Sequence, residues 1–103
     1  MTEVIVYGIP NCDTTKKAVA WFQKNKIPFI FHDYKKQGIS EKKLNDWCAG
    51  KGWENIFNKR STTWRELPVA VQKKVIDQAS AIRIMMLHNS IIKRPIIETG
   101  NNL

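Results

Sequence analysis

The first third of the chain contains the feature that most constrains its fold: a strand, a helix and a second strand in immediate succession. The segment "EVIVY" at 3–7 is a continuous apolar run rich in β-branched residues, which is typical of a buried strand. From about residue 12 to 25 the apolar positions recur at helical spacing. The segment "IPFIFHDY" at 27–34 is again strand-like, with Pro28 near its start, where a missing N–H is tolerated. Because the connection is long enough to hold a helix, the sequence predicts a βαβ unit with parallel strands.

The middle of the chain has helical patterning. In "GISEKKLNDWCA", Ser40 is the predicted N-cap, and Gly50 and Gly52 are predicted to end the helix. Its inward face is predicted to carry Leu44, Trp47 and Cys48. The following "WENIFNKRSTTWREL" is predicted to form one or two helical turns around a loop.

Two further helices are predicted before the C-terminus. Pro68 suits the first turn of a helix over "PVAVQKKVIDQA". A second helix is predicted over 80–90, with Ser80 as its cap. The first of these helices is predicted to place a core stripe at Val71, Val75, Ile76 and Ala79.

The C-terminal segment "SIIKRPIIETGNN" is predicted to begin as a third strand and to end in a Gly-Asn-Asn turn. Only Leu103 follows that turn. Three explanations are open: a frayed tail, a chain that stops before its final strand, or a partner that supplies the missing edge. Turn residues without a returning arm favour the incomplete C-terminus.

The composition restricts the function classes. Seventeen Lys and Arg face nine Asp and Glu, giving a net charge of +8, so the surface attracts anions. The lysines occur as scattered pairs rather than as a long basic run, which favours a solvated basic surface and makes nucleic-acid binding an unfavoured alternative. No apolar stretch is long enough for a membrane span. Two cysteines do not make a disulfide framework, so we expect free thiols in a reducing cytoplasm.

Cys12 is the candidate nucleophile. It lies where the first strand gives way to a helix, and the free N–H groups and positive end of a helix stabilise a thiolate. Lys16 follows one turn later and is expected on the same face, whereas Asp13 opposes the effect. Pro10 fixes the approach of the loop. The same position would cradle an anion, and the alternative is a small buried residue that closes the turn.

Two arginines are candidates for binding an anion. Arg60 lies in the irregular "NKRSTTW", and Arg94 directly precedes Pro95. Each could offer a bidentate fork of donors, although a surface salt bridge is the alternative for both. Cys48 is predicted to be a buried apolar residue, with a resolving thiol as the alternative. His32 and His88 have no ligand partners at metal-site spacing, so we expect no metal.

Three motifs in order, "YGIPNCDTTKKA", "NKRSTTWREL" and "IIKRPII", resemble the arsenate reductase (ArsC) family. That family also contains the Spx regulators, and the resemblance is strongest to its YffB-like branch. It runs from about Val4 to Glu98. It implies one α/β domain over 1–103 with a thioredoxin-like fold: a small mixed sheet and a helical insertion at about 38–90, between the βαβ unit and the C-terminal strands. The family's final strand and helix would be missing here.

The resemblance also implies roles for individual residues. Cys12 matches the catalytic cysteine, and Arg60 and Arg94 match two of the arginines that frame the oxyanion, with Lys16 as a further substrate-binding candidate. Pro95 matches the cis-proline of thioredoxin-like folds. Two departures stand out: Gly8 replaces a histidine of authentic arsenate reductases, and Thr15 replaces the second cysteine of the Spx switch.

The implied activity is that of a cytoplasmic, glutathione-dependent thiol reductase. It would act on arsenate or a thiol/disulfide substrate, with no bound cofactor, glutathione as co-substrate and glutaredoxin as the family's usual reductant. The alternative is a non-enzymatic, Spx-like regulator that binds RNA polymerase through its basic surface.

Overall fold

The computed structural model describes residues 3–99. The chain divides into two compact units. One is formed by the chain up to Gly38 and from Arg94 onward, and the other is Ile39–Lys93. No helix among the described residues is long and apolar enough to cross a bilayer.

The first unit contains a mixed three-stranded sheet. Its elements are β1 (Val4–Gly8), α1 (Asp13–Lys24), β2 (Ile30–Asp33), a short α2 (Tyr34–Gln37) and β3 (Ile96–Thr99). The strand order is β2-β1-β3, with β2 parallel and β3 antiparallel to the central β1. The predicted βαβ unit and the α/β fold class are therefore confirmed.

The central position of β1 explains its apolar sequence. Val6 lies opposite Phe31 on one side and Ile97 on the other, and it is completely buried. Helix α1 packs against β1 and buries Thr15 and Phe22, which are seven residues apart and hence two turns along one face.

The second unit is helical. Its helices are α3 (Glu41–Lys51), α4 (Trp53–Ile56), α5 (Thr62–Glu66), α6 (Val69–Gln72) and α7 (Gln78–Leu87), followed by a 3₁₀ turn (Asn89–Ile91). The predicted cap is confirmed, because the Ser40 hydroxyl accepts a hydrogen bond from the Lys43 N–H at 3.1 Å. Gly50 lies within α3 rather than at its end. Gly52, at φ +84°, is the residue that ends the helix.

The predicted core stripe before residue 80 is wrong. Helix α6 is a single turn, and the Ile76 side chain is 76% exposed. Asp77 begins a new helix: its side chain accepts from the Ser80 N–H at 2.9 Å, and the Ser80 hydroxyl accepts from the Asp77 N–H at 3.1 Å. Ser80 is thus the third residue of a capping box, not the cap, and this local pairing stops the preceding helix from continuing through Asp77.

The C-terminal strand begins later than predicted. Ile92 forms only an isolated bridge with Phe57, and the Lys93 N–H donates to the Ile56 carbonyl at 2.8 Å. Ile92 and Lys93 therefore pair with the last residue of α4 and the residue that follows it, and β3 starts only after Pro95. The Gly-Asn-Asn turn at 100–102 lies outside the described residues.

A matched pair of isoleucines tests where the core lies. Ile82 is 4% exposed on α7, whereas Ile76 is mostly exposed. We expect Ile82→Ala to lower the free energy of unfolding by about 2–5 kcal/mol, and Ile76→Ala to change it by less than about 0.5 kcal/mol. Urea denaturation measures both. Equal losses would mean that the continuous helix predicted from the sequence is right and the break at Asp77 is not.

Candidate active site

The loop between β1 and α1 places the Cys12 sulfur at the start of the helix. The Cys12 N–H donates to the Ile9 carbonyl at 3.0 Å, which closes a turn. Cys12 is the N-cap residue, with extended backbone angles (φ −88°, ψ 128°), and its carbonyl accepts the first helical hydrogen bond from Lys16 at 2.9 Å. The side chain therefore projects beside free helical N–H groups.

A close approach between strand and helix fixes this loop. A Cβ atom added to Gly8 would lie 2.6 Å from Thr15 Oγ1 and 2.9 Å from Thr15 Cγ2. Thr15 is 1% exposed, and its hydroxyl has no hydrogen-bond partner of full geometry within residues 3–99. The end of β1 and the first turn of α1 thus approach as closely as only glycine permits.

The Thr14 hydroxyl connects the sulfur to the far end of the chain. Thr14 Oγ1 lies 2.9 Å from Cys12 Sγ and donates to the Arg94 carbonyl at 3.0 Å. A hydroxyl has one proton to donate. The thiol can therefore donate to Thr14 while Thr14 donates to Arg94, but a thiolate needs the Thr14 proton for itself. Thr14 must exchange one acceptor for the other when Cys12 ionises.

The surroundings lower the pKa of Cys12 from its ordinary range to about 6. Burial of the sulfur raises the pKa, but donors from Thr14, from the Thr15 backbone, from the Arg94 side chain and from the Thr15 hydroxyl together outweigh it. No N–H of α1 makes a capping hydrogen bond of full geometry to the sulfur, and each Thr15 contact lowers the pKa of Cys12 by less than the Thr14 hydroxyl does. At neutral pH the site favours a thiolate.

Arg94 contributes to this site in two ways. Its carbonyl accepts from Thr14, and its side chain acts on the Cys12 sulfur. The Arg94–Pro95 peptide bond is cis, as the resemblance implies. Of the residues predicted for the site, the structure thus brings together Cys12, Arg94 and the adjoining Pro95.

The other two predicted binding residues have different surroundings. Lys16 is exposed, and the groups that lower the pKa of Cys12 are Thr14, Thr15 and Arg94 instead. Arg60 belongs to the second unit, where it is exposed in the turn before α5 and its N–H donates to Asn58 Oδ1 at 3.0 Å. A role in substrate binding stays a prediction for both.

Sequence reasoning missed a buried polar contact in the sheet beside the site. The Tyr7 hydroxyl donates to Glu98 Oε1 at 2.9 Å, and the Tyr7 ring lies 4.8 Å from that of His32. Burial and then the Glu98 contact raise the pKa of Tyr7, so the phenol stays protonated. This bond ties β1, which leads into the Cys12 loop, to β3, which follows Pro95. A separation of 91 residues gave no local signal for it.

Cys48 differs from Cys12 in its burial and in the direction of its pKa shift. It lies in α3 of the second unit, is 2% exposed, and burial raises its pKa. Its predicted place in the core is confirmed. Among residues 3–99, no three His, Cys, Asp or Glu side chains are grouped as metal ligands would be.

The chain belongs to the ArsC family, whose sequence model matches residues 7–103. Among solved structures, the YFFB (PA3664) protein is 45% identical, with a TM-score of 0.87 over 92% of this chain and 82% of that one. An arsenate reductase (ArsC) related protein from Brucella melitensis is 40% identical, with a TM-score of 0.78 over 97% of this chain and 82% of that one. These structures confirm the predicted thioredoxin-like fold class.

Curated sequences include both near and more distant relatives. An uncharacterized protein of Haemophilus influenzae is 42% identical over 94 residues, covering 91% of this chain and 82% of the relative. The global transcriptional regulator Spx of Streptococcus pneumoniae is 28% identical over 96 residues, covering 91% of this chain and 71% of the regulator.

The hydroxyl of Thr14 can be tested through the titration of Cys12. In a Cys48→Ser background, iodoacetamide alkylation of Cys12 should show a midpoint near pH 6. Removing the hydroxyl with Thr14→Val should raise that midpoint by roughly one unit, because a hydrogen bond to a charged group is worth about 1.5–3 kcal/mol. Thr14→Ser is the matched control and should leave it unchanged. A parental midpoint at or above the ordinary cysteine value of about 8.5 would contradict the activated thiolate.

The contact between Gly8 and Thr15 can be tested by a double-mutant cycle. Gly8→Ala should lower the free energy of unfolding by about 1–3 kcal/mol, because the new methyl group overlaps Thr15. In a Thr15→Ala background, Gly8→Ala should lower the free energy of unfolding by a smaller amount. The coupling energy between the two substitutions should be about 0.5 kcal/mol or more.

Gly50→Ala is the matched control for this cycle. A Cβ at Gly50 meets nothing within 4 Å, so this helical substitution should stabilise the protein by about 0.5–1 kcal/mol. Additive effects at Gly8 and Thr15 would show that the two residues do not constrain each other.

Proposed function

We propose that this protein is a glutathione-dependent thiol reductase in which Cys12 is the nucleophile. The observation that carries the proposal is the convergence of the Thr14 hydroxyl and the Arg94 side chain on a sulfur at the N-terminus of α1. Structural cysteines are commonly inert and lie in apolar surroundings, as Cys48 does. Reactive cysteines lie among hydrogen-bond donors and cationic side chains. Membership of the ArsC family supports the same class of chemistry.

With a mixed disulfide of glutathione as substrate, the reaction is two thiol–disulfide exchanges. The Cys12 thiolate attacks the glutathione sulfur, the substrate's S–S bond breaks, and the substrate leaves as a thiolate that takes a proton from water. A second glutathione, having lost its proton, attacks the glutathione sulfur of the Cys12 adduct. Oxidised glutathione leaves and the Cys12 thiolate is restored. Both electrons come from glutathione, so the reaction needs no bound cofactor.

With arsenate as substrate, the Cys12 thiolate would form an S–As bond and displace hydroxide. Glutathione would then attack the Cys12 sulfur, and the electron pair of the S–As bond would stay on arsenic as arsenite leaves. Glutaredoxin or a second glutathione would reduce the resulting disulfide. Arg60 and Arg94 would hold the oxyanion, as in the resemblance. Gly8 leaves no imidazole at its position, so we expect slow arsenate turnover.

A regulator that binds RNA polymerase is the second candidate, and the Spx relatives favour it. Thr15 stands in place of the second cysteine, so a dithiol switch in this loop is not available to the chain. The basic surface would then be the polymerase contact. Both candidates suit a reducing cytoplasm, where free thiols persist.

The two arginines give the sharpest test of the proposed reaction. Each of Arg60→Lys and Arg94→Lys should lower kcat/KM by about 10²–10³, nearly as much as the alanine variants, because lysine cannot reproduce the guanidinium fork. Arg65→Lys, an exposed arginine in α5, is the matched control and should retain activity. Steady-state kinetics with arsenate and with a glutathione mixed disulfide, alongside thermal melts, measure the effect.

Two results would overturn the proposal. One is wild-type turnover in every Arg60 and Arg94 variant, and the other is no turnover by the wild-type protein with any of the thiol substrates. A pull-down with RNA polymerase would then decide for the regulator.

A further inference from the structure

A groove of about 420 Å³ lies between α1 and the edge strand β2. We refer to it as the α1–β2 groove. Its apolar lining comes from Pro10, Val19, Ala20, Phe29 and Phe31. Phe29 is held in place by Phe22, whose ring centroid is 5.7 Å away. Its size is within the range of small-molecule sites, and its lining is largely apolar, as in such sites.

The groove begins at the residues that hold the Cys12 sulfur. Thr15 lines it, and Thr15 also acts on the sulfur through its backbone and side chain. Pro10 lies two residues before Cys12 in the same loop, and Lys16 follows Thr15 along the same helical turn. A molecule in the groove therefore extends away from the reacting atom along α1.

The polar groups of the groove indicate the charge of its occupant. Lys16 and Gln23 are its polar side chains besides Thr15, and none of the lining residues is acidic. Lys16 is exposed at the end of the groove nearest Cys12 in sequence. Because the whole chain carries a net charge of +8, an anion is attracted to this end. An occupant with an apolar body and a negative charge near its sulfur fits both features.

We propose that the α1–β2 groove binds the apolar body of a small thiol, presented to Cys12 as its mixed disulfide with anionic glutathione. The proposal rests on the thiol-reductase function and names the substrate class for it. The chemistry is the exchange already described: Cys12 bonds to the glutathione sulfur, and the apolar thiol leaves as its thiolate. The groove selects the leaving thiol by apolar burial.

A series of S-alkyl glutathione disulfides tests the selection. The probes are the mixed disulfides of glutathione with methanethiol, butanethiol and hexanethiol. A buried methylene is worth about 0.8 kcal/mol, or roughly fourfold, so kcat/KM should rise at least tenfold from the methyl to the hexyl probe. Equal kcat/KM across the series would overturn the groove proposal while leaving the reductase function in place.

Substitutions on α1 locate the effect. Ala20 is exposed and lines the groove, so Ala20→Glu should fold and should lower the hexyl-to-methyl ratio of kcat/KM by about tenfold, because it places a carboxylate among the apolar groups. Lys17→Gln is the matched control, since it changes the charge of an exposed α1 residue outside the groove by the same amount. If Ala20→Glu and Lys17→Gln lowered the hexyl-to-methyl ratio of kcat/KM equally, the assignment of the apolar thiol to the α1–β2 groove would be overturned.

A binding measurement separates this proposal from the function on which it rests. S-hexylglutathione and S-methylglutathione cannot undergo exchange, and calorimetry can compare their binding to the Cys12→Ser protein. Tighter binding of the hexyl compound by roughly tenfold, lost in Ala20→Glu, supports the groove even if no disulfide is turned over. Equal binding of the two compounds would overturn it, whatever the kinetics of the wild type.

Discussion

The close packing of Thr15 against Gly8 is the constraint on which the site depends. It brings the first turn of α1 against the end of β1, and the short loop between them leaves Cys12 at the helix N-terminus. A Cβ atom at position 8 would lie only 2.6 Å from Thr15 Oγ1, so a side chain there would push the helix away. Thr15 packs against Gly8 of β1, acts on the sulfur of Cys12 and lines the α1–β2 groove. One buried residue thus couples the fold to the proposed chemistry.

The single hydroxyl proton of Thr14 determines how the hydrogen bonds of the site change when Cys12 ionises. Thr14 has a single proton and two candidate acceptors, the Cys12 sulfur and the Arg94 carbonyl. When the thiol ionises, Thr14 can donate to the sulfur only by releasing the carbonyl, so part of the stabilisation of the thiolate is offset by a lost hydrogen bond. The Arg94 side chain does not have this conflict, because a guanidinium only donates. Arg94 is therefore suited to hold the negative charge of the sulfur through the exchange steps that we propose.

The sequence predicted the parts of the fold whose signals are local. The apolar strand at 3–7, the Ser40 cap and the buried face around Trp47 all follow from spacing within a few residues, and the cysteine at the start of α1 follows from the strand–helix junction. The predicted stripe through Ile76 is wrong because the helical periodicity of the sequence continues across Asp77. There the Asp77 and Ser80 side chains each accept a hydrogen bond from the other's backbone N–H, and this capping box starts a new helix. The contact of Tyr7 with Glu98 and that of Thr14 with Arg94 join residues 91 and 80 positions apart, and no local pattern predicts such pairs. The groove depends on tertiary packing of α1 against β2 in the same way.

The most direct test of the account is the rate at which Cys12 accepts glutathione as a function of pH. A Cys48→Ser protein is mixed with one equivalent of a glutathione mixed disulfide, and the Cys12–glutathione adduct is followed by intact mass spectrometry. The account predicts a single adduct on Cys12 whose rate of formation rises through a pH of about 6 and becomes level just above neutral pH, because almost all of the thiol is then ionised. A rate that rises only around the ordinary cysteine pKa of about 8.5, or no adduct on Cys12, would contradict it.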